Sequence, residues 1–249
     1  MRLENISFDE SLVPQQPGVA GSVNGLEKVL ETWNPACKKN LAYIYQFQTG
    51  SEGGAIEILP DNCFTFVFVC GDAPHAYLAG PVPVLTRKQV EPDSTYFAFK
   101  PFSLLGTNLA KMAASKDAGQ YHIPLEHLFR DLSIVERINQ AGSLRERTAL
   151  FMEYARKHLI NPEFSDSFIE HLELLICRRR GQDRISDIVD KTGYTDRHCR
   201  GRFKDRLGVS IKTYSDIIRV QNVVRMLVKA RRRDVFDAAF ENKFYTRPI

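Results

Sequence analysis

The apolar positions change period along the chain, and the change divides it. Leu26, Val29, Leu30 and Trp33 recur at helical spacing until Asn34-Pro35 stops the run, so a short helix is predicted there. From Leu41 to about Phe99 the period falls to two. LAYIYQF is rich in aromatic and β-branched residues, and AIEILP alternates. CFTFVFVC sets Phe64, Phe66 and Phe68 on one face and Thr65, Val67 and Val69 on the other. With both faces apolar, this last run is predicted to be a central strand. HAYLAG, PVPVLTRKQV and STYFAFKPF supply three more candidate strands. Pro60-Asp61-Asn62 and Gly71-Asp72-Ala73-Pro74 mark turns between the runs. Short strands separated by turns predict an antiparallel barrel or sandwich-like domain.

After residue 103 the helical period returns. Leu104 to Ala114 is a helix candidate, Pro124 to Phe129 opens another, and Leu144 to Ile160 is a third, broken by Asn161-Pro162. From Ser165, DSFIEHLELLICRRRG turns Phe168, Ile169, Leu172, Leu175 and Ile176 inward. The expected class is therefore α+β: a β-rich domain over residues 1–123, a helical connector over 124–160 and an all-helical domain over 161–249. Residues 1–25 read as an extended arm or loops.

The helical part carries the densest chemistry. RISDIVDKTGY predicts a short amphipathic helix ending at Gly193, which can adopt positive φ. Thr195 can cap the next helix, and Asp196 suits its positive end. Cys199, Phe203 and Leu207 then form a narrow apolar stripe among Arg197, His198, Arg200, Arg202, Lys204 and Arg206, and Gly208 closes the helix. A helix of about 11 residues is roughly 16 Å long, enough to lie in a DNA major groove. A longer apolar-faced helix follows, with Tyr214, Ile217, Ile218, Gln221, Val224 and Leu227.

Charge sharpens this division. The net charge is only +4, yet 17 of the 34 Lys and Arg lie between Cys177 and Arg233, against six Asp. That stretch carries +11 and the remainder −7, the electrostatic footprint expected of a nucleic-acid face beside a separate acidic domain. The 43% hydrophobic and 26% charged composition is that of an ordinary globular protein able to bury a core. No apolar run spans a membrane and the N-terminus lacks a signal-peptide core, so a cytoplasmic protein with no membrane partner is expected. The five cysteines, Cys37, Cys63, Cys70, Cys177 and Cys199, form no C-x-x-C pair and read as reduced structural thiols.

Residues 185 to 227 resemble the first half of an AraC-type (AraC/XylS) DNA-binding domain. The resemblance rests on Ile188, Gly193-Tyr194-Thr195, Arg202-Phe203-Lys204, Gly208-Val209-Ser210, Tyr214 and Arg219 in the family's order. A second resemblance lies upstream. Trp33, Leu59-Pro60-Asp61-Asn62-Cys63 and Phe99-Lys100-Pro101 stand where a subset of these regulators has Trp, Leu-Pro-Asp-Gly-Cys and Phe-x-Pro, with Asn62 in place of Gly. VFDAAFENKFYTRPI resembles the first helix and turn of the family's second helix-turn-helix unit, with Ala238, Ala239 and Phe244. The chain ends at Ile249, before that unit's recognition helix would follow. Gly201 also departs from the family pattern, which favours a good helix former there.

The resemblance implies a DNA-binding transcription regulator with double-stranded DNA, a small-molecule effector and a second copy of the chain as partners. Arg197 and Arg200 are the candidates for base contacts, with a pure phosphate role as the alternative. Thr195, His198, Arg202, Lys204 and Lys212 complete the expected DNA-binding set; His198 is equally a surface residue. Arg219 reads as a structural ion-pair or cap residue, and Arg231-Arg232-Arg233 as a solvated run. Trp33, Tyr45, Phe66, Phe68 and Phe97 are the candidate effector-pocket aromatics, against the commoner reading of strand aromatics as plain core. His122 and His127, five apart around a proline, lack a third metal ligand and read as surface or capping residues. No cofactor is implied. The nucleotide, hydrolase and metalloprotease motifs are absent, and nothing points to an enzyme. Two alternatives stay open: a DNA-incompetent relative acting by protein pairing, and a small-molecule-binding module whose helical tail docks another protein.

Overall fold

A computed structural model describes residues 13–35, 41–109 and 122–229. The alternating segments form strands β1 (Asn24–Thr32), β2 (Leu41–Gln48), β3 (Gly54–Ile58), β4 (Thr65–Cys70), β5 (His75–Ala79), β6 (Thr86–Val90), β7 (Thr95–Pro101) and β8 (Ile123–Pro124). Six of them make one antiparallel sheet in the order β1-β2-β7-β4-β5-β8, and β3 pairs with β6 in a separate two-stranded sheet. Strand β4 is interior, as its two apolar faces predict.

The sheet is not closed into a barrel, which corrects half of the predicted alternative. Among the described residues β1 bonds only to β2, and β8, two residues long, bonds only to β5, so no ladder joins the two edges. The β3–β6 pair instead lies across one face, sharing the cluster of Val19, Phe47, Ile56, Val69, Val90 and Tyr96.

Residues 26–32, expected to be helical, belong to β1. The ladder pairs Lys28 with Tyr45 and Leu30 with Tyr43, and that long-range pairing outweighs the helical spacing of a short apolar run. Residues 104–109 are turns rather than a helix, tied to a later helix end by Asn108 N–H donating to Leu159 O at 2.8 Å. The remainder of that candidate, 110–114, lies outside the described residues. Pro124 to Phe129 yields only a short 3₁₀ turn, Leu125–His127.

The helices are α1 (Pro17–Ser22), α2 (Ser133–Gln140), α3 (Leu144–His158), α4 (Ser167–Arg178), α5 (Ile185–Asp190), α6 (Asp196–Leu207) and α7 (Ile211–Lys229). Ser143 caps α3 by accepting from Glu146 N at 3.3 Å. The segment read as a connector packs flat on the large sheet. Ile134, Ile138, Phe151 and Ala155 join Ile44, Phe66, Phe68, Phe97 and Phe99 in one core. Phe151 is its hub, with ring centroids 4.7 Å from Phe99, 5.2 Å from Phe66 and 5.3 Å from Phe68.

Helices α4 to α7 surround a second core of Ile169, Leu172, Ile176, Ile188, Cys199, Phe203 and Tyr214. The two parts meet through polar bonds. Gln221 on α7 donates to Pro60 O at 2.6 Å, Asn62 donates to Tyr214 O at 3.1 Å, and buried Glu173 accepts from Tyr214 OH at 3.0 Å and Ser103 Oγ at 3.3 Å. Among the described residues no helix is long and apolar enough to cross a membrane. The segment 230–249, with Arg231–Arg233, Ala238, Ala239 and the phenylalanines at 236, 240 and 244, lies outside the described residues, as do Cys37 and residues 1–12 of the N-terminal arm.

Candidate functional site

Two features stand out: the exposed side of α6 and a cavity between the two sheets. The first is built by its caps. Gly193, at φ +72°, ends the turn after α5. Thr195 then caps α6, its hydroxyl accepting from His198 N at 3.3 Å, and Gly208 in the left-handed region closes the helix with its N–H on Lys204 O at 2.8 Å. Cys199 and Phe203 are fully buried, and the Phe203 ring meets Tyr214 edge-on at 5.3 Å. With that side anchored, Arg197, Arg200 and Lys204 fall on one exposed stripe at i, i+3 and i+7.

The basic residues of this helix do different work. Arg197 and Lys204 have no carboxylate partner among the described residues. Arg200 lies 2.6 Å from Asp196 one turn earlier, an exposed pair worth little in water. Arg202, expected at phosphate, is engaged elsewhere. It makes a two-pronged bond to Asp166 at 3.0 Å and 3.0 Å, and Arg206 adds a third contact at 3.2 Å. Asp166 is 1% exposed and also caps α4 through Ile169 N, so this carboxylate staples α6 to α4. Arg202 moreover lies over Phe168, its guanidinium 5.2 Å from the ring centroid. His198 stacks on exposed Tyr194 at 5.0 Å, and Lys212 pairs with Asp216 at 2.9 Å. At Gly201 an added Cβ would meet nothing within 4 Å, so the glycine answers no packing need.

The cavity has a volume of about 280 Å³. Its floor is the second face of the large sheet, with Tyr45, Thr65, Val67, Tyr77, Tyr96, Ala98 and Lys100. Its roof is β3–β6, with Ile56, Ile58, Thr86, Lys88 and Val90. Of the five predicted effector aromatics only Tyr45 lines it. Trp33, Phe66, Phe68 and Phe97 point to the opposite face and are at most 1% exposed in the Phe151 core. The reason is the two-residue period: in β7, Phe97 and Phe99 face the helices while Tyr96, Ala98 and Lys100 face the cavity.

Sequence reasoning missed the charged members. Lys100 Nζ and Asp61 form a buried pair at 2.5 Å. Burial alone would push the Lys100 ammonium down, but the Asp61 carboxylate and Tyr45 hold it above its ordinary value. Lys88 reaches Tyr77 OH and His122 Nε2, and its ammonium stands 3.9 Å from the Tyr77 ring centroid. Burial lowers Lys88 to about 8, against the opposing pull of Glu91. Burial, then the Lys88 charge, lowers His122, and burial raises the Tyr77 phenol. The alternation Thr86, Lys88, Val90 carried the signal that Lys88 shares a face with an apolar residue. Without a known partner strand, that face could not be told from solvent.

The cysteines 63, 70, 177 and 199 are buried, and burial pushes the Cys70 thiol up. Among the described residues no group of three or more His, Cys, Asp or Glu is disposed to hold a metal ion. No protein family, no curated protein and no solved structure matches this chain.

Proposed function

We propose that this chain is a DNA-binding transcription regulator of the AraC type, in which α6 enters the major groove and the inter-sheet cavity receives a small-molecule effector. One observation carries the reading. Burial of Cys199 and Phe203 presents Arg197, Arg200 and Lys204 as a single exposed basic stripe on a capped helix. Arg197, near the helix start and without an acid partner among the described residues, suits two-pronged contact with a guanine edge, and Lys204 suits a phosphate.

The effector half rests on continuity between cavity and helices. Asp61 and Cys63 line the cavity, while their neighbours Pro60 and Asn62 bond to α7. A ligand that contacts this segment differently in two arrangements would shift α7, and with it the helix packed on Tyr214.

Fluorescence anisotropy of the full chain tests the DNA half, using duplexes from its own upstream region beside a scrambled duplex. The expected result is a preference for the upstream duplex that falls by at least about tenfold, or 1.4 kcal/mol, in the Arg197→Ala/Lys204→Ala double variant. Both positions are exposed, so the melting curve should not move. Equal affinity for both duplexes, unchanged by the double variant, would overturn the reading.

A further inference from the structure

Lys88 is a lysine in an unusual place. Its neighbours Arg87 and Gln89 also border the cavity but are exposed, while Lys88 is half-buried in it. Register sets this, because β6 pairs Lys88 with Ile56 of β3, whose side chain also lines the cavity. Its polar contacts are a phenol and an imidazole. Glu91, the acid nearest along the strand, lies against His75 at 3.4 Å instead. Among the described residues no carboxylate forms a close ion pair with Lys88, and the Glu91 charge acts on it only from a distance. A half-desolvated ammonium beside apolar walls is costly unless paired.

We propose that the cavity binds a monocarboxylic acid with an apolar body. Its carboxylate sits on Lys88 Nζ, with the Tyr77 hydroxyl as a further donor, and its body lies along Ile56, Val67 and Ala98. The rest of the lining narrows the class. The buried or half-buried cations Lys88 and Lys100 face one carboxylate, Asp61, which Lys100 already occupies. That surplus of positive charge rejects a cation and leaves one cationic seat open. A sugar would need many converging polar partners, and the walls are mainly apolar. The volume of about 280 Å³ exceeds the ~150 Å³ apolar cavity that takes one benzene. The body therefore has room for one ring with short substituents, or roughly eight to ten carbons. The inference rests on the reading of the cavity as the effector site, and names what enters it.

Isothermal titration calorimetry of the full chain provides the test, with octanoate and 4-ethylbenzoate against their neutral counterparts octanol and 4-ethylbenzyl alcohol. At least one acid should bind about tenfold or more tightly than its alcohol, the size of one charge-assisted hydrogen bond. Lys88→Met should abolish that preference and Tyr77→Phe should weaken it, with circular dichroism reporting the fold. The two variants stand on different strands, so misfolding of one leaves the other as the test. Acid and alcohol binding alike, neither binding, or a preference that survives both variants would overturn the proposal. DNA anisotropy run beside it separates the two readings. Acid binding that leaves duplex affinity unchanged sinks the effector role and keeps the ligand class. An upstream-duplex preference without acid binding sinks the ligand class and keeps the DNA-binding reading.

Discussion

The two faces of the six-stranded sheet are made by the same strands, yet one is solid and the other hollow. On the helix side, Phe66, Phe68, Phe97 and Phe99 close around Phe151, each at most 1% exposed. On the other side the same strands offer Tyr45, Thr65, Val67, Tyr96 and Ala98, and the lid is a two-stranded ribbon rather than a pair of helices. The ribbon's side chains, together with α1, fill one end through Val19, Ile56 and Val90 but leave about 280 Å³ beyond. Core and cavity differ both in the side chains each face offers, phenylalanines against tyrosines, Thr65 and Lys100, and in the size and reach of the covering element.

Substitutions on matched positions can break that contrast. The largest effect is expected at Phe151. Phe151→Ala should cost about 3–5 kcal/mol, because four strand aromatics lose a shared partner. Val67→Ala on the cavity side should cost about 1 kcal/mol or less, since it borders space that is already empty. Urea denaturation of both variants measures the difference, and similar costs would mean the two faces are packed alike.

Next comes Asp61→Asn. It leaves Lys100, 5% exposed in its side chain, without its carboxylate, and should cost about 3 kcal/mol. A loss well below 1 kcal/mol in the same denaturation experiment would show that water in the cavity solvates Lys100, sharpening the picture of that face as wet. The smallest effect comes from filling. Ala42→Leu, on the helix side and fully buried, should destabilise by about 1–3 kcal/mol through overpacking, whereas Ala98→Leu, at the cavity floor, should change stability by under about 1 kcal/mol. The Ala98 variant should at the same time reduce octanoate binding.

The sequence made most of this architecture legible, and it is clear where it stopped. Alternation located β2 to β7, and the caps at Thr195, Gly193 and Gly208 placed α6 to within a residue, because cap chemistry is local. β1 was misread because Leu26, Val29, Leu30 and Trp33 have helical spacing, and the pairing with β2 that overrides it is not encoded locally. α2 was missed because Ser133–Gln140 has just Ile134, Val135 and Ile138 to mark a face. For the cavity, alternation sorted side chains into two sets without saying which set would be covered by helices. The four buried aromatics were therefore as eligible as Tyr45. The partnership of Lys88, Tyr77 and His122 joins three separate strands or their margins, a coincidence of tertiary structure that no spacing along the chain encodes.

Asp166 has a consequence beyond holding α4 and α6 together. By engaging Arg202 and Arg206 it leaves Arg197, Arg200 and Lys204 as the cations of α6 able to displace counterions from a duplex. Three such contacts correspond to a slope of about −2.7 in log affinity against log salt, whereas all five would give about −4.5. A single buried carboxylate would thus moderate how far ionic strength governs this helix, keeping its sequence-independent attraction shallow and giving whatever base contacts it makes a larger share of the binding.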